Sequence, residues 1–111
     1  MGGLGAGGDY RDIAKAILTQ MGGVNRISVM TNAKDFVALD SPEQGGVQFG
    51  FKGNAKTGNK FRVILGWDDL YTVEFWYVRG TTMKKIAEFD MIYGDQLKRI
   101  FEDHTGLRLS L

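Results

Sequence analysis

The sequence is poor in the residues that build catalytic and metal centres, because it has no cysteine and only one histidine, His104. The absence of cysteine excludes thiol catalysis, disulfides and cysteine-bound zinc. No nucleophile and no second imidazole can be assigned to His104, which we place in the last turn of a helix, where a histidine interacts favourably with the helix dipole. We therefore expect no enzyme activity, no metal and no cofactor.

Long apolar runs are absent as well, since none approaches the roughly 20 residues that a membrane-crossing helix needs. Residues 1–8 contain five glycines and lack the basic and apolar regions of a signal peptide. They match the G-x-G-x-x-G pattern, but a dinucleotide site needs a strand before that turn, and there is no room for one. We expect a disordered leader over residues 1–8, one domain over residues 9–111, no membrane partner and a cytoplasmic location.

Two segments carry apolar residues at helical spacing. The first predicts a helix from Asp9 to Met21 that ends at Gly22-Gly23, and its apolar stripe is typical of a helix packed on a sheet. The second predicts a helix from Gly94 or Asp95 to His104, with Gly106 at the position of a left-handed C-cap.

The middle of the chain alternates apolar and polar residues, which predicts strands. Their connectors are too short for parallel crossovers, so the strands should pair antiparallel. The fold class is therefore α+β: an N-terminal helix, a strongly bent antiparallel sheet or a small barrel, and a C-terminal helix. The alternating tail, residues 107–111, is a further candidate strand. The predicted strands are Asn25–Thr31, Asp35–Leu39, Gly46–Lys52, Lys60–Leu65, Leu70–Val78 and Met83–Phe89.

Basic residues cluster in a stretch that lacks acids, because no Asp or Glu occurs between Glu43 and Asp68. If Gly53–Asn59 is a flexible hairpin loop, the four cations of this stretch gather at one end of one ribbon. Two interpretations stay open: a footprint for single-stranded nucleic acid, with Arg79 as a second contact, or solvated charges that protect a sheet edge. The cations are Lys52, Lys56, Lys60 and Arg62, interleaved with Phe49, Phe51, Phe61 and Trp67.

The strand over Leu70–Val78 has more aromatic residues than one sheet face requires. Alternation turns Trp76 away from Phe75 and Tyr77. An outward tryptophan indicates either a helix that covers the second face or a subunit interface. The second interpretation leads us to expect a homo-oligomer with Trp76 in the contact.

Two segments, Met30–Phe36 and Tyr93–Phe101, closed by Thr105-Gly106-Leu107 and Ser110-Leu111, resemble a family of small uncharacterised proteins of tailed phages and prophages. The resemblance runs from about Gly22 to the C-terminus. It implies a viral or phage-like origin, with a location in the host cytoplasm or in the virion. It implies no activity.

A second resemblance concerns the fold. The segment Tyr77–Gly80, followed by Met83 and Ile86, is similar to the second motif of the Sm-like family, in which an apolar strand reaches Arg-Gly, turns and continues into a short final strand. It implies a small barrel, ring assembly and binding of single-stranded RNA near Arg79 and Gly80. The family's first motif is not found, and the helix at Asp95–His104 is additional. A turn that needs a positive φ at Gly80 also accounts for the Arg-Gly pair.

Two functions therefore stay open. The first is a non-enzymatic viral accessory or structural protein that works as a homo-oligomer. The alternative is an Sm-like module that binds single-stranded nucleic acid. The balanced charge of the chain, +1 at neutral pH, favours neither, since local clustering matters more than the total.

Overall fold

The structure, a computed structural model, describes residues 10–40 and 43–109. The leader expected over residues 1–8 and the last two residues of the tail lie outside the described residues. Within the described ranges, no helix is long and apolar enough to cross a membrane. The elements are α1 (Tyr10–Gln20), α2 (Val24–Thr31), β1 (Lys34–Leu39), β2 (Gly45–Asn54), β3 (Gly58–Leu65), β4 (Tyr71–Arg79), β5 (Thr82–Ile92) and α3 (Leu97–Thr105), with a 3-10 turn at Gly94–Gln96 before α3.

The five strands form one antiparallel sheet in the order β1-β2-β3-β4-β5, so each strand pairs with its neighbours in the chain. β1 and β5 are the two edges and do not pair with each other, which leaves the sheet open. The α+β class is therefore confirmed, whereas the barrel alternative is not. Residues 107–109 add no strand, and Leu109 is instead fully buried in the core.

One face of the sheet, which we call the helix face, carries the core. Phe101 of α3 lies at its centre, with its ring centroid 5.1 Å from the rings of both Phe51 and Phe61. The alternation of apolar and polar residues along β2, β3 and β4 places every second side chain on this face, as expected, and Leu65 and Tyr77 near the strand ends are only partly buried. The buried side chains are Val47, Phe49, Phe51, Phe61, Val63, Tyr71, Val73 and Phe75 from the strands, and Ala14, Ile17, Leu18, Ile27, Leu97 and Phe101 from the helices.

The strand predicted over Asn25–Thr31 is wrong, because this segment is the helix α2. Ile27 and Thr31, four residues apart, are both buried, and the Thr31 hydroxyl donates to the Ile27 carbonyl oxygen at 2.7 Å. Val29, expected on the same side as Ile27, is 82% exposed. The β-branched residues favour a strand locally, but burial of one helical face in the core outweighs that preference. Asn32 then ends the helix with a left-handed backbone.

The connector predicted over Gly53–Asn59 is also shorter than expected. β2 continues to Asn54, and the turn comprises only residues 55–57. The Asn54 side-chain oxygen accepts hydrogen bonds from the backbone N–H groups of Lys56 at 2.8 Å and Thr57 at 3.0 Å. The hairpin end is therefore a bonded tight turn and not the long flexible loop of the prediction.

Both edge strands are interrupted by irregular pairing. The register of β1 against β2 shifts between Lys34 and Val37. That of β5 against β4 shifts twice, opposite Tyr71–Val73 and opposite Phe75–Trp76. Irregularities of this kind twist an edge away from further strand pairing. The edges are therefore poor sites for adding a strand from another chain.

Candidate nucleic-acid interface

The face opposite the helices, which we call the outer face, is built from strand side chains. Residues directly opposed in an antiparallel pair point to the same face. The register aligns Lys34, Gly50, Lys60, Trp76 and Lys85 in one row that crosses all five strands. Three lysines and a tryptophan thus share one row of the outer face.

A groove of about 350 Å³ opens over Gly50, which leaves a gap in this row because it has no side chain. Lysines from three adjacent strands border the groove, together with two amide side chains and one carboxylate. Lys34 and Lys52 are exposed, and Lys60 is half-buried. The groove residues with polar side chains are Lys34, Lys52, Lys60, Asn32, Asn59 and Asp35.

Asn59 fixes one wall of this groove. Its amide nitrogen donates to the Val78 carbonyl oxygen at 2.9 Å, and its amide oxygen accepts from the Val78 N–H at 2.9 Å. The side chain thereby replaces one step of backbone pairing between β3 and β4. Lys60, the next residue, is held in register on the outer face.

Arg62 differs from the lysines of the groove because one of its two neighbours across the sheet is the acid Glu74. Its Nε lies 3.9 Å from Glu74 Oε1, and the same carboxylate lies 3.7 Å from Lys85 Nζ through Oε2. Only 13% of the Glu74 side chain is exposed. The stretch that lacks acids along the chain is therefore not free of acids in space, and the expectation that Arg62 has no acidic neighbour is wrong.

Lys56 and Arg79 are both exposed and lie at the same end of the sheet as the groove. Lys56 is in the turn between β2 and β3, and Arg79 is the last residue of β4. Gly80 follows with φ at 60°. The Arg-Gly pair therefore forms a turn that needs a positive φ at the glycine. A turn of this kind accounts for the pair without an Sm-like motif.

The phenylalanines that alternate with these cations in sequence lie on the helix face. Phe49 and Phe61 have no exposed surface and Phe51 has 6%, so none of them is accessible to a base. Trp67 is 74% exposed but lies in the turn at the opposite end of β3. The aromatic residue that the register places beside Lys60 is Trp76.

Trp76 is half-buried, and strand neighbours surround it. Its indole N–H donates to Glu74 at 2.7 Å, and Lys85 Nζ lies 5.5 Å from the ring centroid. A hydrogen bond to Glu88 raises the pKa of Lys85 above its ordinary 10.5. Partial loss of hydration lowers that pKa, and the negative charge of Glu74 raises it further. The buried residues of the helices pack on the helix face, so in the described part of the chain no helix covers Trp76. Its role in an interface stays a prediction.

His104 lies in the last turn of α3, as predicted. Its ring stacks on Phe75 with centroids 4.0 Å apart, and its Nε2 lies 3.0 Å from the Thr57 carbonyl oxygen. These contacts join α3 to the turn between β2 and β3. Within residues 10–40 and 43–109, no group of three or more histidine or acidic side chains is placed to hold a metal.

Charge is segregated along the strands of the sheet. Among the described residues of the strands and their turns, the end with the β2–β3 and β4–β5 turns, which we call the basic end, contains one acid, Asp35, and the opposite, acidic end contains one cation, Arg62. The two ends meet on the outer face, where Lys85 contacts both Glu74 and Glu88. Sequence reasoning missed Lys34, Lys84 and Lys85, because only the strand register brings them to this end. The basic end holds Lys34, Lys52, Lys56, Lys60, Arg79, Lys84 and Lys85, and the acidic end holds Asp40, Glu43, Asp68, Asp69, Glu74, Glu88 and Asp90.

Comparison with protein-family models, with curated proteins and with solved structures gave no match for this chain.

Proposed function

We propose that the protein binds single-stranded nucleic acid at the basic end of its sheet. The observation that carries this proposal is the groove over Gly50, which lysines from three neighbouring strands surround. Cations grouped around an open groove create a local positive potential that the net charge of +1 conceals. Such a groove can follow a phosphate backbone without reading its sequence.

The contacts divide into two classes. Lys34, Lys52 and Lys60 border the groove and supply phosphate contacts, and the exposed Lys56 and Arg79 extend the basic surface beyond it. Arg62 differs, because Glu74 already offsets its charge. We assign Arg62 to the support of the outer face, where it contributes less to phosphate binding than the lysines.

Trp76 supplies an aromatic surface in the same row as Lys60. Stacking of a base on an aromatic side chain contributes about 1–3 kcal/mol. Lys85 occupies a position near one side of the indole, and the N–H is bonded to Glu74, so the ring is held in place before a ligand arrives. A held ring loses little conformational entropy on binding.

Fluorescence anisotropy with a labelled oligonucleotide tests the proposal. The triple variant Lys34→Gln, Lys52→Gln, Lys60→Gln should lose at least about tenfold in affinity at low salt. Its plot of log affinity against log salt should be shallower by about 2, since each lost contact to a single strand removes roughly 0.7. Circular dichroism should show the variant folded, because two of the three side chains are exposed and none is in the core.

The matched control is Lys15→Gln, Arg26→Gln, Arg108→Gln, which removes the same charge from exposed residues outside the sheet. It should keep nearly the affinity of the unmodified protein. Equal losses in the two triple variants would show that binding follows net charge and not the groove. Absence of binding by the unmodified protein at tens of micromolar, in low salt, would remove the proposal.

A second candidate function is a structural protein that acts by self-association, as the resemblance to small phage proteins suggests. Apolar side chains exposed on the sheet favour it, since Met83 is 62% and Val37 is 47% exposed. Such a protein would act in the host cytoplasm or in the virion, and an Sm-like ring is one form it would take. Light scattering that gives one chain mass at micromolar concentration would count against it.

A further inference from the structure

We propose that copies of this chain associate head to tail, with Trp67 at the acidic end of one copy inserted into the lysine groove at the basic end of the next. The proposal gives the second candidate function a specific interface. It uses the same groove as nucleic-acid binding, but it does not require that binding to occur. Three features of the described residues support it.

The first feature is the opposite charge of the two ends. Counted over the described residues of the strands and their turns, seven cations and Asp35 lie at the basic end, and seven acids and Arg62 lie at the acidic end. Lys85 is already paired with Glu74 and Glu88, so six cations of the basic end remain to attract the acids of another copy. Two basic ends repel each other, as do two acidic ends, so a symmetric contact through either end is disfavoured. Only a basic end and an acidic end attract each other. Contacts between unlike surfaces build rings or filaments.

The second feature is an exposed tryptophan within the acidic end. Trp67 is 74% exposed in the turn between β3 and β4, and Asp68 and Asp69 follow it in the chain. Its backbone N–H donates to the carboxylate of Glu43 at 3.0 Å, which places a third acid beside it. Tryptophan is enriched among the residues that dominate binding energy at interfaces.

The turn that presents Trp67 is tightly bonded. The Gln44 side chain donates to the Gly66 carbonyl oxygen at 2.6 Å and to Asp69 at 2.9 Å. The Leu70 N–H donates to Asp68 at 3.1 Å, as expected for an aspartate that stabilises a turn. The indole is therefore carried on an ordered support, which lowers the entropy cost of docking it.

The third feature is the chemistry of the groove. Lys34, Lys52 and Lys60 border a concave site that an indole can enter. Tryptophan is the best aromatic partner for a lysine ammonium group. The acids that flank Trp67 would then lie near the remaining cations of the basic end, such as Lys56 and Arg79, so that both the aromatic and the ionic parts of the contact are complementary.

Two variants, each damaged at one end only, test this geometry. Trp67→Ala removes the inserted ring and leaves the turn's backbone bonds in place. The triple variant Lys34→Glu, Lys52→Glu, Lys60→Glu reverses the charge of the groove. If it does not fold, the double variant Lys34→Glu, Lys52→Glu, which changes only exposed positions, is used instead. Light scattering after size exclusion, at low salt and high protein concentration, gives the mass.

The unmodified protein should have a mass above the 12.3 kDa of one chain. Each variant alone should be monomeric. An equimolar mixture of the two should form a dimer and nothing larger, because it contains one intact groove and one intact Trp67 per pair. A monomeric unmodified protein, an assembly that survives in either variant, or a mixture that stays monomeric would overturn the proposal.

Oligonucleotide binding separates this proposal from the previous one. Trp67→Ala should bind the oligonucleotide at least as tightly as the unmodified protein, because the indole and the oligonucleotide compete for one groove, while it loses self-association. Loss of assembly in Trp76→Glu but not in Trp67→Ala would place the interface on the outer face around Trp76 and refute the head-to-tail contact. If no oligonucleotide binds, the light-scattering result still decides the present proposal.

Discussion

The substitution Gly46→Ala tests whether β2 and β3 lie as close together at Gly46 as the structure shows. Gly46 pairs with Ile64, and a Cβ added to it would overlap the Val63 carbonyl oxygen, inside the 3.0 Å limit that such atoms respect. The obstructing atom is backbone, so the strands must separate to accept Gly46→Ala. We expect a loss of about 2–4 kcal/mol in the free energy of unfolding, from about 1–3 for overpacking and about 1 for a weakened ladder hydrogen bond.

Gly50→Ala is the matched control, on the same strand and the same face. The nearest atoms to an added Cβ are there 3.7 Å away, which is ordinary contact, and the backbone needs no positive φ. We expect no loss, or a gain of about 0.4–1 kcal/mol. Thermal denaturation followed by circular dichroism compares the two, and Gly46→Ala should lower Tm by at least roughly 8 °C. Similar melting of both variants would refute the strand register on which the groove depends.

Two further predictions concern Asn59, which lines the groove, and Lys85, which lies beside Trp76. Asn59→Ala removes both hydrogen bonds to Val78 and should cost about 1–3 kcal/mol, with faster amide hydrogen exchange at Val78; unchanged exchange there would contradict the pairing. Lys85 should titrate by NMR with a midpoint above 10.5, because its hydrogen bond to Glu88 raises its pKa. The contact is therefore present at neutral pH and is lost as the pH rises through that midpoint. A midpoint at or below 10.5 would contradict the contact.

The sheet was largely predictable because its signal is local. Alternation over Gly46–Lys52 and Lys60–Leu65 places Val47, Phe49, Phe51, Phe61 and Val63 in the core, and Ile64 on the other face is the exception, since it is buried as well. The C-cap at Gly106 was also predictable, since a glycine that follows an apolar helix commonly takes the left-handed conformation, and its φ is 76°. In each case neighbouring residues carry the whole signal.

The segment that forms α2 could not be assigned by alternation alone. Ile27 and Val29 satisfy a period of two, whereas Ile27 and Thr31 satisfy helical spacing. In a short segment the two patterns overlap, and the core decides between them. Gly23 before the helix and Asn32 after it were the local signals that favoured a helix.

The candidate site depended on information that the sequence does not hold. Lys34 and Lys60 lie far apart along the chain and become neighbours of one groove only through the register of β1, β2 and β3. The same register brought Glu74 beside Arg62 and so removed one of the cations that the sequence had placed in the site. The cluster of charge along the chain therefore indicated two of the three strands whose lysines border the groove, but not β1, which adds Lys34.

The most direct test of the nucleic-acid site is a map of amide chemical shifts in labelled protein during titration with a single-stranded oligonucleotide. Residues that line the groove should shift first and furthest: Lys34, Gly50, Lys52, Gly53, Asn59 and Lys60. The helices α1 and α3 should stay unchanged at the same ratio of ligand to protein. The turn at residue 67 should also stay unchanged when the titration is done on the Trp67→Ala variant, in which no indole competes for the groove. Shifts confined to the helices or to the acidic end, or no shifts at saturating oligonucleotide in low salt, would contradict the assignment of the basic end as the binding surface.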